Sequence, residues 1–306
     1  MSTDLIQEKI NELKKLIGDS GIETPEELEV LESKIQASSR TELAWKQVEL
    51  ARHHDRPYSL DYINRIFDNF TELHGDRAYG DDAAIVGGLA FLDGQPVTVI
   101  ANQKGRTLKE NVRRNHGMAH PEGYRKALRL AKQAEKFHRP IITFVDTSGA
   151  YPGLGAEERG IGEAIARNLK EFSQLKTPII CIIIGEGGSG GALGICVGDK
   201  VYMLENAIYS VISPEGCASI LLRDATKAKD AAAMLRITST DLLNFNVING
   251  VINEAPGGAH TDPGASAALI KEALVRDLAD LQGRNPSVLV RYRNQKILKV
   301  GRWNEG

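Results

Sequence analysis

Apolar residues recur along the first 55 positions at helical spacing. Ile6, Ile10, Leu13 and Ile17 stand at i, i+4, i+7 and i+11 and share one helix stripe. Gly18-Asp19-Ser20-Gly21 interrupts the pattern. Thr24-Pro25-Glu26-Glu27 then offers an N-cap, a proline in the first turn and a capping-box glutamate, with Leu28, Leu31 and Ile35 continuing an apolar face. The spacing predicts two short amphipathic helices, either a docking element or a hairpin covering its own core. Arg56-Pro57 closes this region.

From Ala84 to Asn102 the period shortens. Ile85-Val86, Leu89-Ala90-Phe91-Leu92 and Val97-Thr98-Val99-Ile100 flank Asp93-Gly94, which predicts a β-hairpin turn. Helical spacing returns over 121–137, with Tyr124, Leu128, Ala131 and Ala134 on one face. Two alike units follow: a buried strand over 141–146, a glycine-containing turn and a helix over 157–175, then a buried strand over 179–184, the turn Gly185–Gly191 and a helix starting near Ala192. Strands alternating with helices imply parallel pairing through crossovers, an α/β fold. Further strands are expected over 201–204 and 208–212, a helix from Cys217 to Leu222, and a last helix opened by Asp262-Pro263 with Leu269, Leu274, Leu278 and Leu281 facing inward. Residues 283–306 are polar and yield no pattern.

Composition adds limits. Lys plus Arg number 38 against 40 Asp plus Glu, so the net charge of −2 offers no bulk attraction to nucleic acid or membrane, and any anion site must be local. Cys181, Cys196 and Cys217 form no C-x-x-C pair, which fits a reducing compartment and builds no zinc cluster. The polar start lacks the apolar core of a signal peptide, and the apolar run from Ile179 to Ile184 is far too short to span a bilayer. A soluble, cytoplasmic protein is expected.

The turn from Gly185 to Gly191 carries the most chemistry. Five glycines after a buried strand leave backbone N–H groups at a helix N-terminus, a ready pocket for a phosphate or an oxyanion. Three readings fit. Gly185-x-Gly187-x-x-Gly190, with Glu205 further on, matches a dinucleotide fingerprint. Gly187-x-Ser189-x-Gly191 matches a nucleophile elbow. The third is an oxyanion hole without a protein nucleophile. Against the first, the turn falls past the middle of the chain behind a hairpin. Against the second, His260 is the only histidine after Ser189 and lies in a Gly-rich stretch.

Two other features invite a role. Lys104, Arg106, Lys109, Arg113, Arg114, Arg125, Lys126, Arg129 and Lys132 face only Glu110 and Glu122 within 104–132, a basic stretch suited to coenzyme A phosphates, an acidic carrier or solvent alone. His116 and His120 stand four apart, but no third metal ligand is evident and no metal is assigned.

Seven segments together resemble the family of alpha subunits of bacterial and plastid acetyl-CoA carboxylase carboxyltransferases: LHGDR at 73–77, MAHPEGYRKA at 118–127, DTSGAYPG at 146–153, AEERG at 156–160, IGEGGSGGA at 184–192, YSVISPEG at 209–216 and PGGAH at 256–260. They run in one order from about 60 to 260; the last two dozen residues match poorly. The resemblance implies a crotonase-like spiral of ββα units over 56–260, with an N-terminal helical segment over 1–55 and a C-terminal helical extension over 261–306. It implies a beta subunit of the same fold, an alpha2beta2 heterotetramer with the active site between subunits, and work with biotin carboxylase and a biotin carboxyl carrier protein. The carrier's carboxybiotin gives its carboxyl group to acetyl-CoA, producing malonyl-CoA for fatty acid synthesis. Zinc belongs to the beta subunit.

By resemblance, the backbone amides of Gly190 and Gly191 form the oxyanion hole facing the biotin carbonyl, and biotin itself serves as base. Gly149, Tyr151, Pro152, Gly153, Gly187 and Gly188 are expected to line the pocket, and Arg113 and Arg114 to touch phosphate. The alternative is a self-sufficient crotonase-type acyl-CoA hydratase or hydrolase, with Glu157 or Glu158 offered as base. A scaffold that only docks a catalytic partner is the non-enzymatic reading.

Overall fold

Two helices open the chain, α1 (Thr3–Asp19) and α2 (Glu26–Ala51), in the computed structural model, which describes residues 3–19 and 26–301. Of the expected first stripe, Ile10 is buried whereas Leu13 is about half exposed. The capping signal at Thr24 and Pro25 lies outside the described residues. The second helix is longer than its apolar pattern suggests, because good helix formers carry it on to Ala51.

After α3 (Ser59–Ile66), an antiparallel meander of β1 (Asp68–Glu72), β2 (Ile85–Leu92) and β3 (Gln95–Asn102) begins the sheet. The hairpin forms at Asp93-Gly94, where both residues take positive φ (47° and 80°), the geometry of a two-residue turn that continues the strand twist. Then come α4 (Leu108–Arg113), α5 (Pro121–Lys136) and β4 (Ile141–Thr147), every residue of which is buried, as expected of a central parallel strand.

The helix expected over 157–175 is two. Gly160, at φ 80°, breaks it into α6 (Leu154–Glu158) and α7 (Ile161–Gln174). The next strand, β5 (Ile179–Gly188), outruns its apolar core because Gly187 and Gly188 stay in the ladder, paired with β4 and with β7 (Ile208–Ser210). Between them lie the short α8 (Ser189–Leu193) and β6 (Lys200–Leu204). Where one helix was expected over 217–222, α9 (Pro214–Cys217) leads into a π turn (Ala218–Leu222), followed by α10 (Ala228–Leu235). The chain ends with α11 (Ser239–Asn244), β8 (Gly250–Ile252), α12 (Pro263–Gln282) and α13 (Pro286–Leu298).

Asp262 caps α12, accepting from the Ala265 amide at 2.9 Å. Leu274, Leu278 and Leu281 face inward, but Leu269 is 37% exposed. The last helix, α13, falls within the helical extension that the resemblance implies over 261–306, although the residue pattern did not mark it. Its signal was local: Asn285 caps it and Pro286 opens it.

The strand order is β1-β2-β3-β4-β5-β6-β8, with β7 added to β5; from β3 onward every pairing within this order is parallel. Residues 1–46 with 214–236 form one compact unit, and 47–213 with 237–306 form another. The boundaries expected at 55/56 and 260/261 both fall within the larger unit. No helix among the described residues is long and apolar enough to cross a membrane.

Candidate functional site

Parallel strands bring their carboxyl ends to one edge, and in open α/β sheets that edge is where ligands bind. Here β4 ends at Thr147 and β5 at Gly188. The two following turns touch backbone to backbone. A Cβ on Gly188 would sit 2.1 Å from the Ser148 carbonyl oxygen, and one on Gly191 would sit 2.2 Å from the carbonyl carbon of Gly149. These glycines are therefore required by close approach, whatever else they do. Gly149 has open space where its Cβ would lie, and Gly190 would meet only Ile165, at 3.5 Å.

The first turn of α8 is held from behind. The Tyr124 hydroxyl, fully buried, donates to the Gly191 carbonyl at 3.3 Å. The Asn168 amide donates to the carbonyls of Tyr124 (3.0 Å) and Gly194 (2.9 Å), locking α5 and α7 to the end of α8. On the other side, the Thr147 hydroxyl donates to the Gly149 carbonyl at 2.6 Å and accepts from the Gly149 amide at 3.1 Å. The residues at the corner are thus pre-positioned, the condition under which backbone donors stabilise a developing anion. Beside α8 lies a cavity of about 240 Å³ walled by Ser189, Leu193, Tyr209, Ser210, Val211 and neighbouring apolar groups.

The structure brings Gly149, Gly188, Gly190 and Gly191 together, but scatters other expected pocket residues. Gly187 lies in the β5 ladder against the Tyr209 ring. Tyr151 turns its ring onto His120, with centroids 4.1 Å apart, and Gly153 packs under that same ring. Pro152 is exposed. Ser189 has a strained φ of 45°, as an elbow would, yet among the described residues it hydrogen-bonds to no histidine. His260 instead stacks on His53 at 3.8 Å. Gly185 and Gly187 lie in a strand rather than a βα turn, and the Glu205 carboxylate accepts from the Glu254 amide, which removes the dinucleotide pattern's geometry.

The basic stretch is largely spoken for. Arg106 pairs with Asp61, Arg125 with Asp76, Lys126 with Asp81 and Lys132 with Glu171; Arg129 donates to the Gly75 carbonyl. Arg114 donates to the Ala83 carbonyl at 2.9 Å, and burial, with Arg113 next to it, pulls its pKa down. Arg113 is exposed and has no partner among the described residues. His116 and His120 do not form a metal pair. His116, at φ 56°, bonds Asn111, and no cluster of three or more His, Cys, Asp or Glu among the described residues could hold a metal.

Sequence reasoning missed a buried charge network at the same edge. Lys104 Nζ lies 2.7 Å from Asp146 Oδ1 and 3.1 Å from Glu186 Oε2, while Arg52 Nε reaches Glu186 Oε1 at 2.7 Å. Burial alone would raise the Glu186 pKa; Lys104 and Arg52 outweigh it and hold the carboxyl below its ordinary value. Burial opposes the Lys104 charge too, but Asp146 and Glu186 outweigh it and raise the ammonium pKa. A readable signal existed: Asp146 and Glu186 each follow an apolar run at the carboxyl end of a parallel strand. Arg56 and Glu254 form a second buried pair, with Arg56 Nε donating to the Ile184 carbonyl of β5 at 2.7 Å.

Comparison with known proteins identifies the family and the fold. The family model for acetyl co-enzyme A carboxylase carboxyltransferase-like proteins matches residues 2–301. The acetyl-coenzyme A carboxylase carboxyl transferase subunit alpha of Treponema denticola is 67% identical over 97% of each chain. Its counterpart from Bacillus cytotoxicus is 54% identical over 97% of this chain and 93% of its own. Among solved structures, a Pseudomonas malonate decarboxylase hetero-tetramer in complex with coenzyme A superposes with a TM-score of 0.59 at 18% identity, covering 70% of this chain and 86% of that one. Transcarboxylase 12S gives 0.55 at 24% identity, covering 70% and 41%. The structural likeness is one of fold; the sequence likeness goes further, and the chain belongs to the acetyl co-enzyme A carboxylase carboxyltransferase-like family, on a crotonase-like fold.

Proposed function

We propose that this chain is the alpha carboxyltransferase subunit of a multi-subunit acetyl-CoA carboxylase, active only with a beta subunit and moving a carboxyl group from biotin on a carrier protein to acetyl-CoA. End-to-end likeness to relatives of that name supports the reaction. The observation that carries the mechanism is the pair of glycine turns packed backbone to backbone at the carboxyl edge of β4 and β5.

An oxyanion is best held by neutral donors fixed before charge develops, each worth about 3–4 kcal/mol. The amides of Gly190 and Gly191, in the first turn of α8, are such donors. Intrahelical bonding leaves the first-turn N–H groups of this short helix free. When docked, the carrier's biotin would supply the carboxyl group, and the Gly190 and Gly191 amides would hold its ureido oxygen. The residues fit that neutral, compact acceptor: the corner offers backbone donors, and Gly149 leaves room on the side facing away from the packing. Gly188 and Gly191 allow the two turns to close together, while Tyr124 and Asn168 hold the corner from behind.

The matching donors for the acetyl-CoA thioester oxygen belong to the beta subunit, as does the zinc site, and two copies of each subunit make the heterotetramer. Arg113, exposed at the end of α4, is the remaining candidate for a coenzyme A phosphate. The hydratase or hydrolase alternative lacks support here: Glu157 and Glu158 are both exposed on α6, and the relatives bear another name.

The test is an assay of biotin-dependent malonyl-CoA decarboxylation by the purified chain, alone and with a beta-type subunit. Activity only in the mixture is expected. Turnover by the chain alone favours the hydratase or hydrolase reading, and none in the mixture leaves only a scaffold.

A further inference from the structure

We infer that Lys104 is the positioning residue of the glycine corner, a role that rests on the oxyanion reading above. Its ammonium bridges the carboxyl ends of β4 and β5, at Asp146 Oδ1 (2.7 Å) and Glu186 Oε2 (3.1 Å). These two acids lie in the last residues of the strands that feed the two turns: Asp146 is followed by Thr147, Ser148 and Gly149, and Glu186 by Gly187, Gly188 and the turn into α8.

The strand ends are built around this bridge. Asp146 Oδ1 also accepts from the Glu186 amide at 3.0 Å, so one oxygen joins the side-chain bridge to the main chain of β5. A Cβ on Gly185 would lie 2.5 Å from that same oxygen, so the carboxylate rests directly on the strand backbone. Gly117, at φ 78°, makes way for the lysine stem: a Cβ there would lie 2.9 Å from Lys104 Cγ and 3.0 Å from the Asp146 carbonyl oxygen. Each of these contacts transmits a shift of the ammonium to the path of a turn.

Electrostatics gives the bridge its direction. The side chains of Asp146 and Glu186 are 3% and 12% exposed, so water screens their mutual repulsion poorly. With the ammonium between them, the two carboxylates attract a shared cation. Without it, they face each other as like charges, and the strand ends spread. Arg52 reaches the other Glu186 oxygen, Oε1, at 2.7 Å, so Oε2 is left to the lysine. Spreading would move the 188–191 turn off the 148–150 turn, where clearances leave no slack, and the Gly190 and Gly191 amides would lose their aim. Lys104 thus acts through the backbone and touches no reacting atom.

The site also supplies its own probe. Lys104 lies on the wall of a cavity of about 230 Å³ shared with Tyr58, Asn111, His116 and Ser148. In Lys104→Ala a small alkylammonium can enter by that cavity and sit between the two carboxylates.

The experiment measures carboxyl transfer by the assembled alpha–beta complex carrying Lys104→Ala, with and without millimolar n-propylammonium, and with tetramethylammonium as a cation unable to donate hydrogen bonds. The expected result is a kcat about 100-fold below wild type, the cost of a small misalignment. KM should stay within about twofold, because the loss lies in the transition state. Propylammonium should restore at least about a tenfold share of kcat, saturably, and tetramethylammonium should not. Unchanged kcat, a loss confined to KM, or a kcat deaf to propylammonium overturns the inference. If the alanine variant does not fold, Lys104→Gln, which is one atom shorter and keeps an NH2 donor group but no charge, decides by the same kcat–KM split. A wild-type complex without biotin-dependent activity would instead refute the function proposed above, which separates the two failures.

Discussion

The glycine corner and the C-terminal anchor hold the same unit together by opposite means. At the corner, two turns meet through bare backbone, and the requirement is local: no side chain fits at Gly188 or Gly191. At the anchor, α13 sends Arg293, 1% exposed, into the body of the unit. It pairs with Asp199 at 3.0 and 2.8 Å and donates to the carbonyls of Phe172, Leu175 and Thr177 at 2.7 to 3.0 Å. Removing a methyl's worth of space breaks the first; removing a charge breaks the second. A requirement of the first kind is written into residue type at the position itself. The second kind is shared among residues 94 to 121 positions apart and is written nowhere in particular.

The largest expected effect tests the anchor. Arg293→Ala removes the cation paired with buried Asp199 and the guanidinium donor to three carbonyls, and should cost about 3–5 kcal/mol in denaturant unfolding. A loss below about 1 kcal/mol would mean that water replaces the guanidinium and that the anchor is no anchor. At the corner, Gly191→Ala forces a methyl into the Gly149 backbone and should cost about 1–3 kcal/mol, with carboxyl transfer falling further than stability does. Stability and activity moving together would reduce that glycine to packing alone.

The smallest effect is confined to acid and sharpens the role of the charge network. Glu186 has a folded pKa held below its unfolded value by Lys104 and Arg52 against burial. The stability it contributes is therefore present above the ordinary carboxylate pKa of about 4.3 and is lost as pH falls through the depressed folded value. Wild type should lose stability more steeply below about pH 4 than Glu186→Gln, which has no proton to gain there. Parallel acid limbs in pH-dependent melts would show that the network does not couple to folding.

The same contrast explains what was legible. The hairpin at Asp93-Gly94, the buried strands and the glycine turn each show in a handful of adjacent residues, because φ, alternation and close approach act locally. The break at Gly160 was missed because a glycine within a helical pattern is ambiguous until its φ is known. Leu269 was misplaced because the apolar stripe of α12 is wider than the face it buries. At the candidate site, Gly149, Gly188, Gly190 and Gly191 were readable as glycine turns, though not that the two turns touch. Lys104 was read only as one charge in a basic stretch, since its partners lie 42 and 82 residues away. That most of this stretch is paired follows from acids on other elements, Asp61, Asp76, Asp81 and Glu171, that no window over 104–132 contains.

One substitution bears directly on whether main-chain donors at the corner carry the chemistry. Gly190→Pro removes an N–H in the first turn of α8, where a proline breaks no intrahelical bond, and Gly190→Ala keeps that N–H while placing a methyl 3.5 Å from Ile165. In the assembled complex, with folding checked by circular dichroism, the proline variant should lose about 10²–10³ in kcat, and the alanine variant far less. A folded proline variant that transfers carboxyl groups as fast as the alanine variant would contradict the account.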